Sequence, residues 1–215
     1  MRSPALFLLV ALFVEPATAG IVYYNNTNPS QDTLTDLVFS SGPYTGIGDS
    51  IGLTSAGIAS AATVQFYNDA SAGTFSASLL FFNAGLPVAT EIGSPYTVNG
   101  ISIGAGSELN VTFQLGALSL PSSVVFLVEV SNLTGGVDPG LELYSDPTIA
   151  GTNTADTAIF LQSAVYTQQS TGGGGSGNPY FDLVQSPEPS TWLPIAAVGL
   201  VAAAWRKRRR LSGGN

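Results

Sequence analysis

The chain has no cysteine and no histidine, and its six lysines and arginines lie only near its two ends. Thiol catalysis, a Ser-His-Asp triad and a His/Cys site for zinc or iron are therefore excluded. No lysine or arginine lies between residues 3 and 205, which also excludes Ser-Lys and Schiff-base chemistry in that part. Carboxylate-only chemistry of the glycosidase type remains. These absences predict a protein that is not an enzyme.

The acidic residues have no basic partners nearby in the sequence. Of the 14 acidic residues, all but Glu15 and Glu188 lie in residues 20–186, so this part carries twelve negative charges. Such a charge repels nucleic acid, which is therefore not a predicted partner. It favours solubility and is compatible with divalent cations or a hydrated polysaccharide matrix. Without disulfides, this part of the chain must be held together by its hydrophobic core.

The N-terminus has the three parts of a secretory signal peptide. Arg2 supplies the positive start, residues 5–14 are apolar, and Ala17 and Ala19 form a small-residue cleavage site. The pattern predicts cleavage by signal peptidase before Gly20, so that the chain after it is exported.

The C-terminal end combines a polar motif, an apolar run and a basic cluster. The polar motif spans residues 187–191 and contains Pro187, Glu188 and Pro189. Residues 192–205 are 14 uncharged residues, about 21 Å as a helix, which can span a hydrocarbon core of about 30 Å with local thinning. The basic cluster consists of Arg206, Lys207, Arg208, Arg209 and Arg210. It predicts a membrane stop on the cytoplasmic side and disfavours a buried helix of a soluble domain.

In their order and their C-terminal position, these three elements resemble the PEP-CTERM sorting signal of Gram-negative bacteria. The resemblance covers residues 186–210. It implies recognition by an exosortase, a membrane cysteine protease-transpeptidase of bacteria that also secrete exopolysaccharide. It further implies a precursor tethered to the inner membrane, which is then processed and reaches the cell surface or the extracellular matrix.

The chain between the two ends is predicted to be all-β. Residues 63–67, 74–82 and 110–115 alternate between polar and apolar side chains, and residues 124–130 are a continuous apolar run typical of a central strand buried on both faces. Weaker candidate strands are residues 21–24, 37–39, 49–53, 96–98, 141–144, 159–165 and 180–184. About ten strands at this spacing predict a two-sheet sandwich of the jelly-roll type.

Turn residues separate the predicted strands. Asn99-Gly100 predicts a two-residue hairpin between residues 96–98 and 101–103. Thr134-Gly135-Gly136 and Asp138-Pro139-Gly140 each predict a further turn.

A glycine-rich run at residues 172–177 is either a flexible linker or a loop before one more strand. We favour the loop, because residues 180–184 are apolar enough to pair into a sheet. The predicted organisation is then a signal peptide at 1–19, a β-sandwich at 20–185 and a sorting tail at 186–215.

Carboxylates cluster in a Pro/Gly-rich stretch near residue 140. Asp138, Glu142 and Asp146 are the candidate calcium ligands, because calcium takes six to eight oxygen ligands from such loops. No EF-hand or nonapeptide spacing is present, and turn carboxylates are commonly Asx-turn formers or solubilising charges. The eight tyrosines offer stacking surfaces for sugars. A calcium-assisted carbohydrate-binding (lectin-like) module is therefore the alternative function.

Glu129 is the most interesting carboxylate for an enzyme hypothesis, because it lies within the apolar run of residues 124–130. A paired-carboxylate hydrolase would need it as an acid or a base, whereas the simpler interpretation places it at the exposed end of a strand. The main prediction is a non-enzymatic exported surface or extracellular-matrix protein. It is sorted by an exosortase-type system, is associated with exopolysaccharide, and needs no cofactor other than the candidate calcium.

Overall fold

A computed structural model describes most of residues 20–186. The described residues are 20–39, 44–84, 90–145, 148–154, 156–162, 165–171 and 177–185. The chain divides into two units, and all of these residues after Gly20 belong to the unit Ile21–Ser186. The predicted signal peptide, sorting motif, membrane span and basic stop lie outside the described residues. Within the described part of the chain, no helix has the length and apolarity needed to cross a membrane.

Fourteen strands and one short 3-10 turn, Pro29–Gln31, make up the described regular structure. The strands are β1 (Val22–Asn25), β2 (Asp32–Val38), β3 (Gly46–Gly52), β4 (Gly57–Asn68), β5 (Gly73–Asn83), β6 (Tyr96–Ile103), β7 (Ser107–Leu120), β8 (Ser123–Thr134), β9 (Pro139–Tyr144), β10 (Thr152–Asn153), β11 (Thr157–Gln162), β12 (Val165–Ser170), β13 (Asn178–Pro179) and β14 (Phe181–Val184).

The strands form two antiparallel sheets of seven. The first has the order β1-β14-β4-β9-β13, with β7 also paired to β4 and β2 paired to β9. The second has the order β12-β11-β3-β8-β5-β6, with β10 paired to β3. The prediction of an all-β fold in two sheets is confirmed, and its jelly-roll type stays a prediction. The sequence did not indicate β10 and β13, which have two residues each, or β12 as a strand of its own.

The core between the two sheets is built from the alternating strands. In β4 the side chains of Val64 and Phe66 are fully buried. Thr63 of the same strand faces outward, and its hydroxyl lies 2.9 Å from the hydroxyl of Thr112 in the neighbouring strand β7. Phe181 of β14 stacks on Phe126 of β8, with ring centroids 3.8 Å apart and planes 6° apart. Because β14 and β8 belong to different sheets, this aromatic contact joins the two layers at the centre of the core.

Strand β8 is buried on both faces, as its continuous apolar run predicted. Val124, Phe126 and Val128 belong to the main core between the sheets. Val125 and Leu127 point the other way and pack in a second apolar cluster with side chains of β5 and β11.

The predicted hairpin at Asn99-Gly100 is wrong. Both residues lie inside β6, which continues from Tyr96 to Ile103 beside β5. Phe75 pairs with Ile101 and Ala77 pairs with Val98, so two residues of β6 oppose one of β5. Gly100 has a φ of +66°. An Asn-Gly pair therefore serves a β-bulge here, which needs the same positive φ as the tight turn it resembles in sequence.

The predicted turn at Asp138-Pro139-Gly140 is also wrong. Pro139 is the first residue of β9, a position where a strand tolerates the missing N–H. The turn lies slightly earlier, at Gly135 and Gly136, where both φ angles are positive, as the signal at Thr134-Gly135-Gly136 predicted.

The predicted last strand is confirmed as β14, which lies between β1 and β4 in the first sheet. Residues 172–176 lie outside the described residues, but Thr171 and Gly177 on either side are joined by a hydrogen bond of 2.6 Å from the threonine hydroxyl to the glycine carbonyl. The glycine-rich run therefore falls inside the folded unit, as the loop interpretation requires.

Asp49 and Asn178 form a fully buried polar link between the two sheets. The Asn178 amide nitrogen donates to Asp49 Oδ2 at 2.8 Å, and to the carbonyls of Thr154 at 2.8 Å and Thr157 at 3.0 Å. Asp49 Oδ1 accepts from the backbone N–H of Ser50 at 2.6 Å. Both side chains have no exposed surface. A buried carboxyl thus obtains its hydrogen bonds from neutral donors instead of a cation.

Replacing Asn178 by alanine is expected to destabilise the fold by about 2 to 4 kcal/mol, because it removes the donor to a buried carboxyl and two carbonyls together. Urea unfolding followed by circular dichroism measures the loss. Asn110→Ala, on the exposed face of β7, is the control and should change the free energy of unfolding by less than about 0.5 kcal/mol. Equal effects of the two substitutions would contradict a structural role for the link.

Candidate functional site

The outer face of the first sheet gathers carboxylates that are far apart in the sequence. Strands β2 and β9 pair so that Asp36 lies opposite Glu142 and Asp32 lies opposite Tyr144. In β9, Leu141 packs into the core, so Glu142 and Tyr144 face outward because side chains alternate along a strand. Despite this direction, Glu142 is only 2% exposed. We call the group Asp32, Asp36, Glu108, Asp138 and Glu142 the acidic face.

Glu142 is the most perturbed carboxyl of the acidic face. Its burial, followed by the charges of Asp32, Glu108 and Asp36, raises its pKa from 4.5 to about 8, and its hydrogen bond with Asp32 acts in the same direction. Glu142 is therefore largely protonated at neutral pH. It can donate a hydrogen bond to Asp32 in that form, which reduces the repulsion between the two carboxyls.

Asp36 occupies space left by a glycine. A Cβ atom at Gly140 would collide with the Asp36 carboxylate, so this close approach requires glycine at position 140. Asp36 Oδ2 is buried and has no hydrogen-bond partner. Burial and the charge of Asp69 raise the pKa of Asp36, with a smaller contribution from Asp138.

Neutral polar side chains continue the acidic face across the sheet. The Tyr144 hydroxyl donates to Gln65 Oε1 at 3.0 Å, and Gln65 Nε2 donates to Glu108 Oε2 at 3.1 Å. Burial, followed by the charge of Asp32, raises the pKa of Tyr144 to about 12. Tyr144 also packs against Tyr180, with ring centroids 5.1 Å apart. The face therefore combines carboxyls with an aromatic pair.

Two of the three candidate calcium ligands lie on or beside this face. Asp138 immediately precedes β9, and its backbone N–H donates to Asn68 Oδ1 at 3.1 Å. Glu142 lies in the middle of β9, and Asp146 lies outside the described residues. Among the residues that the structure does describe, no group of three or more His, Cys, Asp or Glu side chains is arranged to hold a metal ion.

Sequence reasoning did not connect Asp32, Asp36 and Glu108 with Glu142. Their proximity depends on β2 pairing with β9 and on β7 lying beside β4, and both arrangements join distant parts of the chain. A local signal was present only in the two aspartates of β2, whose spacing of four residues places both on one face of a strand. Their register with β9 is irregular between them.

Glu129 lies on the outer side of the second sheet, where it is half-buried. It pairs with Gly46 of β3 and Ser78 of β5. Burial raises the pKa of Glu129, and the charge of Glu91 adds to the effect. Burial, followed by the charges of Glu129 and Glu91, raises the pKa of Tyr166. Glu129 is therefore not at an exposed strand end as the simpler interpretation had it, but beside a second carboxylate and a tyrosine.

The folded unit continues almost to the start of the predicted sorting motif. The backbone N–H of Gln185 donates to the carbonyl of Ile21 at 2.8 Å, and the Tyr23 hydroxyl donates to Gln185 Oε1 at 3.0 Å. One residue separates Gln185 from Pro187, the first residue of the motif, in the sequence. Because β1 and β14 are antiparallel neighbours, the first and last strands of the domain place their outer ends next to each other, with Val22 opposite Val184.

A two-sheet β domain followed directly by a C-terminal sorting signal defines the class of this protein. A family model described as the PEP-CTERM protein-sorting motif matches residues 187–210. The chain thus carries a PEP-CTERM motif, as its three C-terminal elements predicted, and the motif implies export and processing by an exosortase. Comparisons with curated proteins and with solved structures found no significant match.

The raised pKa of Glu142 predicts that this residue contributes less to the stability of the domain as the pH rises from 4.5 to 8. An unfolded glutamate releases its proton near pH 4.5, whereas folded Glu142 keeps it to about pH 8. The folded state therefore binds more protons in this window, and the free energy of unfolding should fall as the pH rises from 4.5 to 8. One such group gives a slope of at most about 1.4 kcal/mol per pH unit.

Glu142→Gln is expected to flatten this pH dependence, because glutamine imitates the protonated form and cannot ionise. Urea unfolding of both proteins at several pH values between 4 and 9 measures it. Glu91→Gln removes an exposed carboxylate from the other sheet and should keep most of the slope. If Glu142→Gln kept the full slope as well, the titration would belong to other groups.

Proposed function

We propose that the exported domain is a non-enzymatic component of the cell surface or extracellular matrix of a Gram-negative bacterium. In this proposal the sorting tail holds the precursor at the inner membrane, an exosortase removes the tail, and the domain then associates with secreted exopolysaccharide.

The observation that carries the proposal is the position of β14 relative to the motif. β14 is an interior strand, bonded to β1 on one side and to β4 on the other, and it ends at Val184. Cleavage at residues 187–189 would therefore leave every described strand intact. A processed protein would keep its complete core, including the contact between Phe181 and Phe126.

The chemistry of the domain supports a structural role instead of a catalytic one. No cation in residues 20–186 is available to clamp a substrate or stabilise an anionic transition state. Its carboxyls interact with each other or with neutral groups. Glu142 and Asp32 share a hydrogen bond, and Glu108 accepts one from the amide of Gln65. A strongly negative, cysteine-free domain is expected to stay soluble within a hydrated polysaccharide.

Processing can be tested by replacing Pro187, Glu188 and Pro189 together with alanine. Intact-mass measurement of the surface protein should show a wild-type chain that ends near the motif and lacks Trp205 and Arg210. The triple variant should retain both residues, because the exosortase no longer recognises its signal. A wild-type surface protein that keeps Arg210 throughout would reduce the tail to an ordinary anchor.

A calcium-assisted carbohydrate-binding module is the second candidate function. It is favoured by the acidic face, where Asp36, Asp138 and Glu142 interact electrostatically and the aromatic pair Tyr144–Tyr180 lies nearby. Oxygen-rich ligands of this kind suit calcium. Of the two rings only the partly exposed Tyr180 can contact a sugar, because Tyr144 is 5% exposed.

Titration calorimetry with calcium separates the two candidates. In the binding module, heat should be observed with the wild type and lost in the variant that combines Asp138→Asn, Glu142→Gln and Asp146→Asn. Glu91→Gln, which removes an exposed carboxylate beside the other sheet, is the control and should keep the heat. Absence of heat in all three proteins supports the matrix role, and glycan hydrolysis that disappears in Glu129→Gln would contradict both.

A further inference from the structure

Most edge strands of the two sheets have features that prevent pairing with another chain. Charged side chains, bulges, prolines and short length are the usual protections of a sheet edge. In this domain β1 has four residues and a bulge, and β6 has a bulge at Gly100. Strands β2 and β7 carry acidic side chains, two aspartates in β2 and Glu108 in β7, and both have an irregular register. Strands β10 and β13 have two residues each, with Pro179 in β13.

Strand β12 has none of these protections. Its six residues pair with β11 in unbroken register, from Val165 opposite Gln162 to Ser170 opposite Thr157. Among the described residues β11 is its only strand partner. Five of its six side chains are exposed, and Val165 is 53% exposed. An exposed edge of this kind, with an unbroken register, is where strand addition occurs.

The edge is also neutral in a domain that is otherwise strongly negative. Residues 157–181 contain no charged side chain, whereas the twelve carboxylates of residues 20–186 lie outside this stretch. Burial, followed by the charges of Glu129 and Glu91, raises the pKa of Tyr166 in β12. Asp156 precedes β11 at the other end of β12, where its carbonyl accepts a hydrogen bond from the Thr171 N–H at 2.9 Å. A basic partner would therefore find little attraction at β12 itself, and a second copy of the domain would meet less repulsion here than at β2 or β7.

We propose that β12 pairs with β12 of a second copy of this chain, antiparallel and about a two-fold axis. The pairing would join the second sheets of two domains into one continuous sheet. A symmetric interface of this type is self-complementary, because the same neutral strand is presented by both copies. With the two-fold axis passing at Gln168, near the middle of the strand, Gln168 of one copy lies directly opposite Gln168 of the other.

Charge reversal at Gln168 tests this pairing with a result that only self-association produces. The exported protein is purified as the cell produces it. The dissociation constant of its dimer is measured by sedimentation, with added salt to screen the negative charge of the domain. Gln168→Glu and Gln168→Lys should each weaken association about tenfold, because like charges face each other across the axis. An equimolar mixture of the two variants should associate again, since opposite charges now meet.

Gln114 supplies a matched control. It is an exposed glutamine on β7, so Gln114→Glu and Gln114→Lys introduce the same charges away from the proposed interface. They should leave the dissociation constant within about twofold, and circular dichroism should show all four variants folded. A wild type that is monomeric at every concentration and salt, or Gln168 variants that associate as the wild type does, would overturn the proposal. Separate weakening without recovery in the mixture would assign the edge to a different partner and would overturn it as well.

The absence of native cysteine permits a second, independent measurement. Single cysteines placed in turn at positions 165–170 can form disulfides only with another copy, because the chain offers no other thiol. Cross-linked dimers should form most rapidly near the middle of the strand and more slowly toward both ends. Ile149→Cys, at a residue that is 61% exposed outside the strands, is the control. Equal rates at Ile149 and at the middle of β12 would contradict strand pairing.

Discussion

The lack of any cation in the exported domain is the constraint on which its polar structure depends. A buried carboxylate in most proteins is stabilised by an arginine or lysine, or by a metal ion. Here each buried carboxyl must either keep its proton or accept hydrogen bonds from neutral groups. Both solutions are present, at Glu142 and at Asp49 respectively, and they explain why amides and hydroxyls accompany the acidic residues so closely.

Because the domain has no cation, its buried carboxyls Asp49 and Glu142 have different roles. Asp49 receives hydrogen bonds from Asn178 and from a backbone N–H, so it serves to hold β3 and β13 of opposite sheets together. Glu142 instead lies among three other carboxyls on one sheet, and its protonation is sensitive to the pH of the surroundings. The first group fixes the fold, whereas the second couples the outer face of the first sheet to the acidity of the environment.

The parts of the structure that were predictable are those whose signal is local. The alternation in β4, β5 and β7 and the apolar run in β8 indicate strands because each pattern reports which side of its own strand is buried. Asn99-Gly100 was misassigned because a bulge and a tight turn both need a positive φ. The acidic face was missed because Asp36 and Glu142 meet only through the pairing of β2 with β9, which no local pattern records. Strand β12 is polar on both sides, so it has no alternation to indicate it.

The place of β14 in the sheet also governs when the domain can finish folding. Phe181 lies at the centre of the core, yet it is among the last residues of the domain to be synthesised and exported. Until it has crossed the membrane, β1 and β4 lack the strand that joins them, and the core lacks one of its central rings. Long-range pairing of this kind is slow and leaves apolar surface exposed while it is incomplete. Because one residue separates Gln185 from Pro187, β14 directly precedes the sorting motif in the chain, and a domain cleaved at the motif retains its last strand.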